Sequence, residues 1–276
     1  MQRKTWMPLA LALSVLLGAQ SAAAQDCTPD RQFPTVTPGT ITVAVYSYPP
    51  FATLLDDGGI GGVDSDIVKV IAERNCMSVT PVVVDPSAVI QNVLTKKVDL
   101  GIGDWFRTAE RAKVLGLSYP MYVDQMAFYS REGYSRLDQL AGKRVGAVSG
   151  FLYAGQLERA LEDSVSLYPN PVALAQDLQA GRIDVAVDGY GTGAYAKSQG
   201  AYEGIEIKIA EPDARVPVSV EPAQIALLYH LDNPELGKAI DAELQDMQAG
   251  GAIADILDAN GLDRSGAETG EPRLIE

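Results

Sequence analysis

The chain has 276 residues, of which 36 are acidic and 22 are basic, so its net charge at neutral pH is −14. Negative charge of this size argues against nucleic acid or an anionic membrane surface as a partner. After the first two dozen residues, no stretch is long and apolar enough to predict direct membrane insertion.

The first residues have the pattern of a secretory signal. Arg3 and Lys4 are followed by a short apolar run, Leu9 to Leu17, and then by the small residues Ala22 to Ala24. Because the apolar run is too short to span a bilayer, we expect residues 1–24 to be a cleaved signal peptide and the mature protein to lie in the periplasm.

Only two cysteines are present, Cys27 and Cys76. Because secreted chains meet an oxidising compartment, a disulfide between them is predicted, although the sequence does not show that they meet in space. The sequence has a single histidine, His230, and lacks cysteine pairs at metal-ligand spacing. We therefore predict neither a bound metal nor a cofactor.

From Ile41 the chain alternates between short β-branched runs and segments with helical spacing, which is typical of an α/β domain. The predicted order is strand, helix, strand, helix, strand over residues 41–45, 64–75, 79–84, 87–95 and 99–103. The same order returns over residues 146–148, 151–162, 165–168, 171–180 and 185–188.

These two halves also resemble each other in detail. In each half, a basic residue is followed by an apolar residue with Asp, then by a predicted buried strand and a closing Asp. The closing residue is Asp104 in the first half and Asp188 in the second. Two similar lobes are therefore predicted. A strand over 224–229 and helices over 234–248 and 252–260 should complete the first lobe.

We therefore expect lobe 1 to comprise residues 25–131 and 221–276, and lobe 2 to comprise residues 132–220. The chain should cross between the lobes near 129–133 and near 215–222. The last residues, 264–276, lack periodicity and are expected to fray.

Five segments in this order resemble the polar amino acid type of the periplasmic solute-binding proteins of ABC importers, family 3. They are Tyr48–Phe51, Gly62–Ile67, Thr108–Arg111, Gly142–Gly146 and Gly181–Asp184. The resemblance implies a two-lobed type II periplasmic-binding fold with two hinge crossings. It implies a monomer that closes on a small polar solute and delivers it to an inner-membrane ABC permease.

The resemblance assigns Arg111, in the Thr108-x-x-Arg111 pattern, to the carboxylate of the ligand. A planar guanidinium can offer two parallel N–H donors to two oxygens. The alternative is a solvated surface arginine beside Glu110 and Lys113.

Asp104 and Asp188 each end a buried strand on the expected ligand side, so a closed cleft would bring in one acid from each lobe, suited to an amine. The alternative is that each caps the next turn. Asp64 is a candidate ligand contact, but its position also fits the N-cap of its helix, and we favour the cap.

Several positions depart from the family pattern. Small hydroxyl residues or glycine are usual around Asp104 and Phe106, whereas this chain has Gly103-Asp104-Trp105-Phe106 there, and Phe151 follows Gly150 where Ser or Thr is common. Asp188 lies one residue earlier than the usual amine-binding Asp. In the family, the small residues donate hydrogen bonds to the ligand carboxylate and the Asp accepts from the ligand amine, so these differences leave the identity of the ligand open.

Aromatic residues Tyr48, Trp105, Phe151 and Tyr190 are candidate cleft walls for a planar or cationic ligand, with core packing as the alternative. No catalytic residue is predicted. An enzyme of the dehydratase type remains a rival on the same fold, with Glu158 and the two aspartates as candidate acids. An accessory or sensory binding protein is the other rival.

Overall fold

The computed structural model of the protein describes residues 27–275, and the expected signal peptide, residues 1–24, lies outside this range. Within the described range, the helices are all too short or too polar to cross a membrane. The α-helices are α1 (Val63–Arg74), α2 (Pro86–Leu94), α3 (Ala109–Ala112), α4 (Leu152–Leu161), α5 (Pro171–Gln179), α6 (Tyr190–Ser198), α7 (Pro234–Ala249) and α8 (Ala252–Ala259).

The strands are short, and most belong to one of two sheets. In chain order they are β1 (Thr40–Val45), β2 (Thr53–Leu54), β3 (Ile60–Gly61), β4 (Ser78–Val83), β5 (Leu100–Gly101), β6 (Gly116–Leu117), β7 (Val123–Asp124), β8 (Met126–Ser130), β9 (Val145–Val148), β10 (Val165–Tyr168), β11 (Val185–Gly189), β12 (Glu206–Ile209), β13 (Ala223–Gln224) and β14 (Leu228–Tyr229).

The first sheet has the order β4-β1-β5-β14-β6. Strand β1 pairs in parallel with β4 and β5, and β14 returns antiparallel between β5 and β6. Five of the six residues of β1 are β-branched, and most are buried, as in a strand covered on both faces. The parallel part matches the predicted strand and helix order, and the late strand completes the same sheet as expected.

The second sheet has the order β10-β9-β11-β8-β12. Its parallel strands β9, β10 and β11 are those expected from the second half of the sequence. Strand β8 was not expected: it lies antiparallel between β11 and β12, and all five of its residues are buried. A short strand that is buried along its whole length has no alternation that distinguishes it from a linker or a helix.

Two antiparallel strands, β7 and β13, join the sheets where the chain passes between them. Because β8 already belongs to the second sheet, the chain enters that sheet at Met126, before the crossing expected at 129–133. The second crossing lies between β12 and β13.

The C-terminal segment is ordered, and the expectation that residues 264–276 fray is wrong for 264–275. A 3₁₀ turn spans Arg264–Ala267, and the chain then runs along β13. The buried Gln224 side chain donates to the carbonyls of Thr269 and Glu271 and accepts from the Arg273 N–H, at 2.9, 2.8 and 2.8 Å. The C-terminal segment lacks a periodic sequence pattern because it is extended and is held by hydrogen bonds to a side chain.

The N-terminal segment is held by a disulfide between Cys27 and Cys76, as predicted. It is also held by the buried Glu243 of α7, which accepts from Arg31 at 2.5 Å, from Arg74 at 3.2 Å and from Asn75 at 3.0 Å. One carboxylate thus ties the N-terminal segment and the end of α1 to α7.

We expect Glu243→Ala to lower the free energy of unfolding by about 3 kcal/mol, because two arginines and a buried amide lose their shared acceptor. Glu235→Ala, on the exposed face of the same helix, is the matched control and should change stability by less than about 0.5 kcal/mol. Urea unfolding of the oxidised proteins measures both. Equal losses in the two variants would contradict a structural role for Glu243.

Candidate ligand-binding site

A small cavity lies between the two sheets, at the carboxyl end of β5 and the start of α4. Its volume is about 10 Å³, room for no more than one water molecule. A solute can enter only if the sheets move apart. The cavity is lined by Tyr48, Asp104, Trp105, Phe106, Arg111, Phe151, Leu152 and Tyr153.

The two sheets touch directly beside this cavity. The Tyr48 hydroxyl donates to Asp188 Oδ1 at 2.6 Å and accepts from the Gly189 N–H at 3.1 Å. The Thr192 hydroxyl, in α6, donates to the carbonyl of Pro49. These bonds join the loop after β1 to the end of β11, so the described conformation is closed.

Aromatic rings enclose the cavity. Phe151 lies at the centre, with ring centroids 5.5 Å from Tyr48, 6.3 Å from Trp105, 5.9 Å from Tyr46 and 5.6 Å from Tyr153. The pairs are edge-on or tilted, the arrangements that aromatic rings prefer. Three of the four expected wall residues, Tyr48, Trp105 and Phe151, therefore lie together.

Tyr190 is not part of this enclosure. It is the first residue of α6, is exposed, and faces a separate groove beside β7 and α8. The strand β11 ends one residue before it, and the turn into α6 directs its side chain away from the cavity. The expectation that Tyr190 forms a wall of this cavity is wrong.

Arg111 reaches the cavity from the short helix α3. Thr108 is the N-cap of this helix, and its hydroxyl accepts from the Arg111 N–H at 3.1 Å. The guanidinium lies 4.8 Å from the centroid of the Trp105 ring and donates to the carbonyls of Phe106 and Gly150, at 2.7 and 3.2 Å. The Thr-x-x-Arg spacing therefore has a local cause, since the cap positions the first turn that carries Arg111.

The charge of Arg111 has no carboxylate within ion-pair distance among the described residues. Its partners are two carbonyl oxygens and one aromatic face. Burial lowers the pKa of Arg111 to about 10, which still leaves it protonated at neutral pH. A guanidinium in this state is suited to an incoming anion.

Asp188 lies on the opposite side of the cleft, one residue before the end of β11. Its Oδ1 atom accepts from Tyr48, from Tyr153 at 3.0 Å and from the Gly189 N–H at 2.9 Å. Burial raises the pKa of Asp188 to about 6, and these three donors oppose the shift.

Asp64 is not an N-cap. Helix α1 is capped by Gly62, without a side-chain bond, and Asp64 lies buried in its first turn. Its carboxylate accepts from the backbone N–H groups of Gly103 and Asp104, at 2.8 and 2.9 Å, and from the Tyr122 hydroxyl at 2.6 Å. Asp64 therefore holds the turn that carries Asp104, and the expected cap is wrong.

Asp104 lies on this turn in the left-handed backbone region, at φ 59°, next to Gly103. Its carboxyl lies within hydrogen-bonding reach of Asp124, the last residue of β7. Burial and the nearby Asp124 and Asp64 charges raise the pKa of Asp104 well above its usual range, and burial raises the pKa of Asp124 to about 7. Two buried carboxyls this close disfavour ionising together, so the pair keeps at least one shared proton at neutral pH.

Sequence reasoning missed Asp124, Tyr46 and Tyr153. Asp124 stands in a crossing segment without a helical or alternating pattern, so nothing in the sequence relates it to Asp104. Tyr153 was detectable in principle, because it lies two residues after the candidate Phe151 at the start of α4.

Comparison with known proteins identifies a family for this chain. Residues 41–261 match the family described as bacterial extracellular solute-binding proteins, family 3. The chain belongs to this family. The match spans both sheets, both crossings and the residues around the cavity.

Individual relatives match this chain over fewer residues than the family does. The chain is 31% identical over 183 residues to the lysine/arginine/ornithine-binding periplasmic protein of Escherichia coli (strain K12), covering 64% of this chain and 68% of that protein. It is 27% identical over 147 residues to the L-arginine-binding protein of Pseudomonas aeruginosa, covering 51% of this chain and 57% of that protein.

Solved structures show the same fold at low identity. An ancestral arginine-binding protein bound to arginine matches with a TM-score of 0.71 and 24% identity, over 80% of this chain and 97% of that chain. A histidine kinase sensor domain with similarity to periplasmic binding proteins matches with a TM-score of 0.70 and 20% identity, over 80% and 95%. The two-lobed type II periplasmic-binding fold predicted from the sequence is confirmed.

We expect Gly189→Ala to hold this solute-binding protein open. A methyl group at position 189 would lie 2.6 Å from Tyr48 Oη and 2.7 Å from Asp124 Oδ2, whereas the backbone at φ −66° accepts any residue. Gly155→Ala, with nothing within 4 Å, is the control. Small-angle scattering should give a larger radius of gyration for G189A than for G155A, and identical scattering would contradict the closed contact.

The two neighbouring carboxyls of Asp104 and Asp124 predict how the stability of the folded protein depends on pH. Because Asp104 and Asp124 hold protons more tightly in the folded protein than in the unfolded chain, stability falls as pH rises from roughly 4, the unfolded pKa, through about 7. Asp124→Asn removes one carboxyl and relieves its repulsion of Asp104. Thermal unfolding without ligand should show a smaller loss between about pH 5 and pH 8 in D124N than in the wild type. An unchanged slope would contradict the shared proton.

Proposed function

We propose that this protein is the periplasmic substrate-binding component of an ABC importer. It takes up a small amino-acid-like solute between its two sheets by hinge closure and delivers it to an inner-membrane permease as a monomer. Membership of family 3 supports the general role, and the names of the curated relatives, periplasmic proteins that bind amino acids, support the class of solute.

The observation that carries the proposal is the state of Arg111. Its guanidinium lies on the cavity wall, stacked on Trp105 and bonded only to carbonyls. A ligand carboxylate would supply the missing anion, at roughly 1.5–3 kcal/mol for each charge-assisted bond. Asp188, on the other side of the cleft with Tyr48 and Tyr153, would take the α-ammonium group.

Closure then follows from the position of these groups. Arg111 lies on the side of the first sheet, and Asp188 belongs to the second sheet. A single zwitterionic ligand can therefore contact both residues only when the two sheets approach each other. The ligand therefore favours the closed conformation by its differential contacts, as in other hinge-bending proteins.

Binding without turnover is the proposed mode of action, in place of the dehydratase alternative. Glu158, one of the candidate acids for that reaction, is exposed on α4 and is not part of the cavity wall. Incubation of the purified protein with prephenate-like acids, followed by assay of the products, should give no turnover. Detected product would contradict this mode.

We expect Arg111→Ala to weaken binding of L-arginine and L-lysine by at least about tenfold, because a desolvated carboxylate loses its cation. Lys113→Ala is the matched control, since Lys113 follows in the same segment but is exposed and pairs with Glu110. Thermal shift measures both: a ligand at 100 Kd adds roughly 2.7 kcal/mol to stability. A shift in R111A as large as in K113A would contradict the assignment.

A further inference from the structure

The last described residues form a strap that lies beyond the part of the chain matching the family, which ends at residue 261. The strap, residues 269–275, follows the 3₁₀ turn, runs along β13 and ends beside the first residue of α3. Apart from one bridge at Ile275, it has no regular secondary structure. A segment of this kind keeps one conformation only if bonds to other parts of the chain offset the entropy it loses.

One buried side chain binds the strap to the second crossing between the sheets. Gln224, in β13, is only 1% exposed, and its side-chain amide donates to the carbonyls of Thr269 and Glu271. The amide oxygen accepts from the Arg273 N–H. Both donors and the acceptor of this amide are therefore used on the strap. Because a shift of the strap would leave these buried groups without partners, Gln224 fixes its register.

Arg273 attaches the strap to the same crossing a second time. Its guanidinium donates to the carbonyl of Pro222 at 2.7 Å and to that of Thr269 at 3.1 Å. It also lies 3.3 Å from the carboxylate of Glu221. Because Pro222 directly precedes β13, the strap contacts the last residues of the crossing through both a charged and an amide side chain.

The other end of the strap reaches the helix that presents Arg111. The Ile275 N–H donates to the carbonyl of Arg107 at 3.0 Å, and the Ile275 carbonyl accepts from the Ala109 N–H at 2.8 Å. These two bonds lie on either side of Thr108, the buried N-cap whose hydroxyl accepts from the Arg111 N–H. The strap therefore fixes both neighbours of the residue that positions the first turn of α3.

The crossing strand also binds this part of the chain directly. The Arg107 N–H donates to the carbonyl of Gln224 at 2.8 Å, and the Ala226 N–H donates to the carbonyl of Trp105 at 2.9 Å. Trp105 lines the cavity, and its ring lies against the Arg111 guanidinium. A displacement of Gln224 would therefore be transmitted to the cavity wall by the strand and by the strap.

We propose that Gln224 is a positioning residue for ligand binding: it holds the strap against β13, and the strap and β13 together fix the segment that carries Trp105 and Arg111. Arg273 supports the same register from the crossing. The effect on affinity rests on the proposed function, because it takes Arg111 as the group that binds the ligand. The effect on the position of Trp105 needs no ligand, so it can be measured independently.

Tryptophan fluorescence reports on this segment directly. The sequence has two tryptophans, Trp6 and Trp105, so Trp105 is the only one in a protein without residues 1–24. Its side chain is buried, at 1% exposure. Gln224→Met, which keeps the size of the side chain and removes its hydrogen bonds, should shift the Trp105 emission to longer wavelength and increase its quenching by acrylamide. Water and quencher reach the indole once local opening of the segment becomes easier.

Arg273→Met is the second variant, and it keeps the proposal testable if Q224M does not fold. The Arg273 side chain is 35% exposed, so its replacement disturbs the core less than a change at Gln224. R273M should show the same change in fluorescence. Titration calorimetry should show L-arginine binding at least about fivefold more weakly to each variant than to the wild type, because a charge-assisted bond at Arg111 depends on its geometry.

Two controls separate positioning from a general loss of stability. Arg264→Met removes an arginine from the 3₁₀ turn just before the strap, where it pairs with Asp255 and Asp258 of α8, and it should leave fluorescence and affinity unchanged. Glu243→Ala should destabilise the protein through its own contacts with Arg31, Arg74 and Asn75. It should nevertheless keep the quenching of Trp105 and the affinity for L-arginine, measured well below its unfolding temperature.

The outcomes distinguish this proposal from the proposed function. Unchanged quenching and unchanged affinity in folded R273M and Q224M would overturn the positioning role and leave the proposed function intact. An equal increase of quenching in E243A would also overturn it, because loss of stability alone would then explain the effect. Increased quenching in R273M and Q224M, together with no binding of L-arginine to the wild type, would support the positioning of Trp105 and contradict the proposed function.

Discussion

The contact between Tyr48 and the end of β11 is the interaction on which the site depends. One phenol donates to Asp188 and accepts from the Gly189 N–H, and it lies in the loop after β1. The cavity, its aromatic enclosure and the approach of Gly189 to Asp124 exist only while the two sheets meet here. A buried bond of a hydroxyl to a carboxylate is worth roughly 1.5–3 kcal/mol, enough to bias a hinge but not to lock it.

The closed cleft is electrostatically unbalanced, and this imbalance relates the fold to binding. Four carboxyls, those of Asp64, Asp104, Asp124 and Asp188, are buried near the cleft, and burial raises the pKa of each. Raised carboxyl pKa values and a shared proton reduce the cost of closure in the absence of a cation. The aromatic walls exclude water, which strengthens any ion pair that a ligand makes with Arg111 or the acids.

Both ends of the described chain are held by contacts with segments far away in the sequence. The disulfide and Glu243 hold the N-terminal segment to α1 and α7, while Gln224 on β13 holds the C-terminal segment. The end of the C-terminal segment lies beside Thr108, where the Ala109 N–H donates to the carbonyl of Ile275 at 2.8 Å. The helix that presents Arg111 is therefore backed by the extended C-terminal segment, which also runs along β13 at one crossing.

By itself the sequence determined the alternating α/β architecture, the two similar halves, the pairing of its two cysteines as an expectation, and the neighbourhood of Tyr48, Asp104, Trp105, Arg111, Phe151 and Asp188. The architecture and the two halves follow from strand and helix periodicity, whereas the cleft residues follow from the resemblance to the family and from the edge of a sheet where parallel strands end. Only the tertiary structure decided the place of β8, the bonds of the C-terminal segment, the role of Asp64 beneath the Asp104 turn, the outward direction of Tyr190, and the pairing of Asp104 with Asp124. Each of these depends on how segments far apart in the chain pack, and neither β8 nor the C-terminal segment has a periodic pattern that records its neighbours.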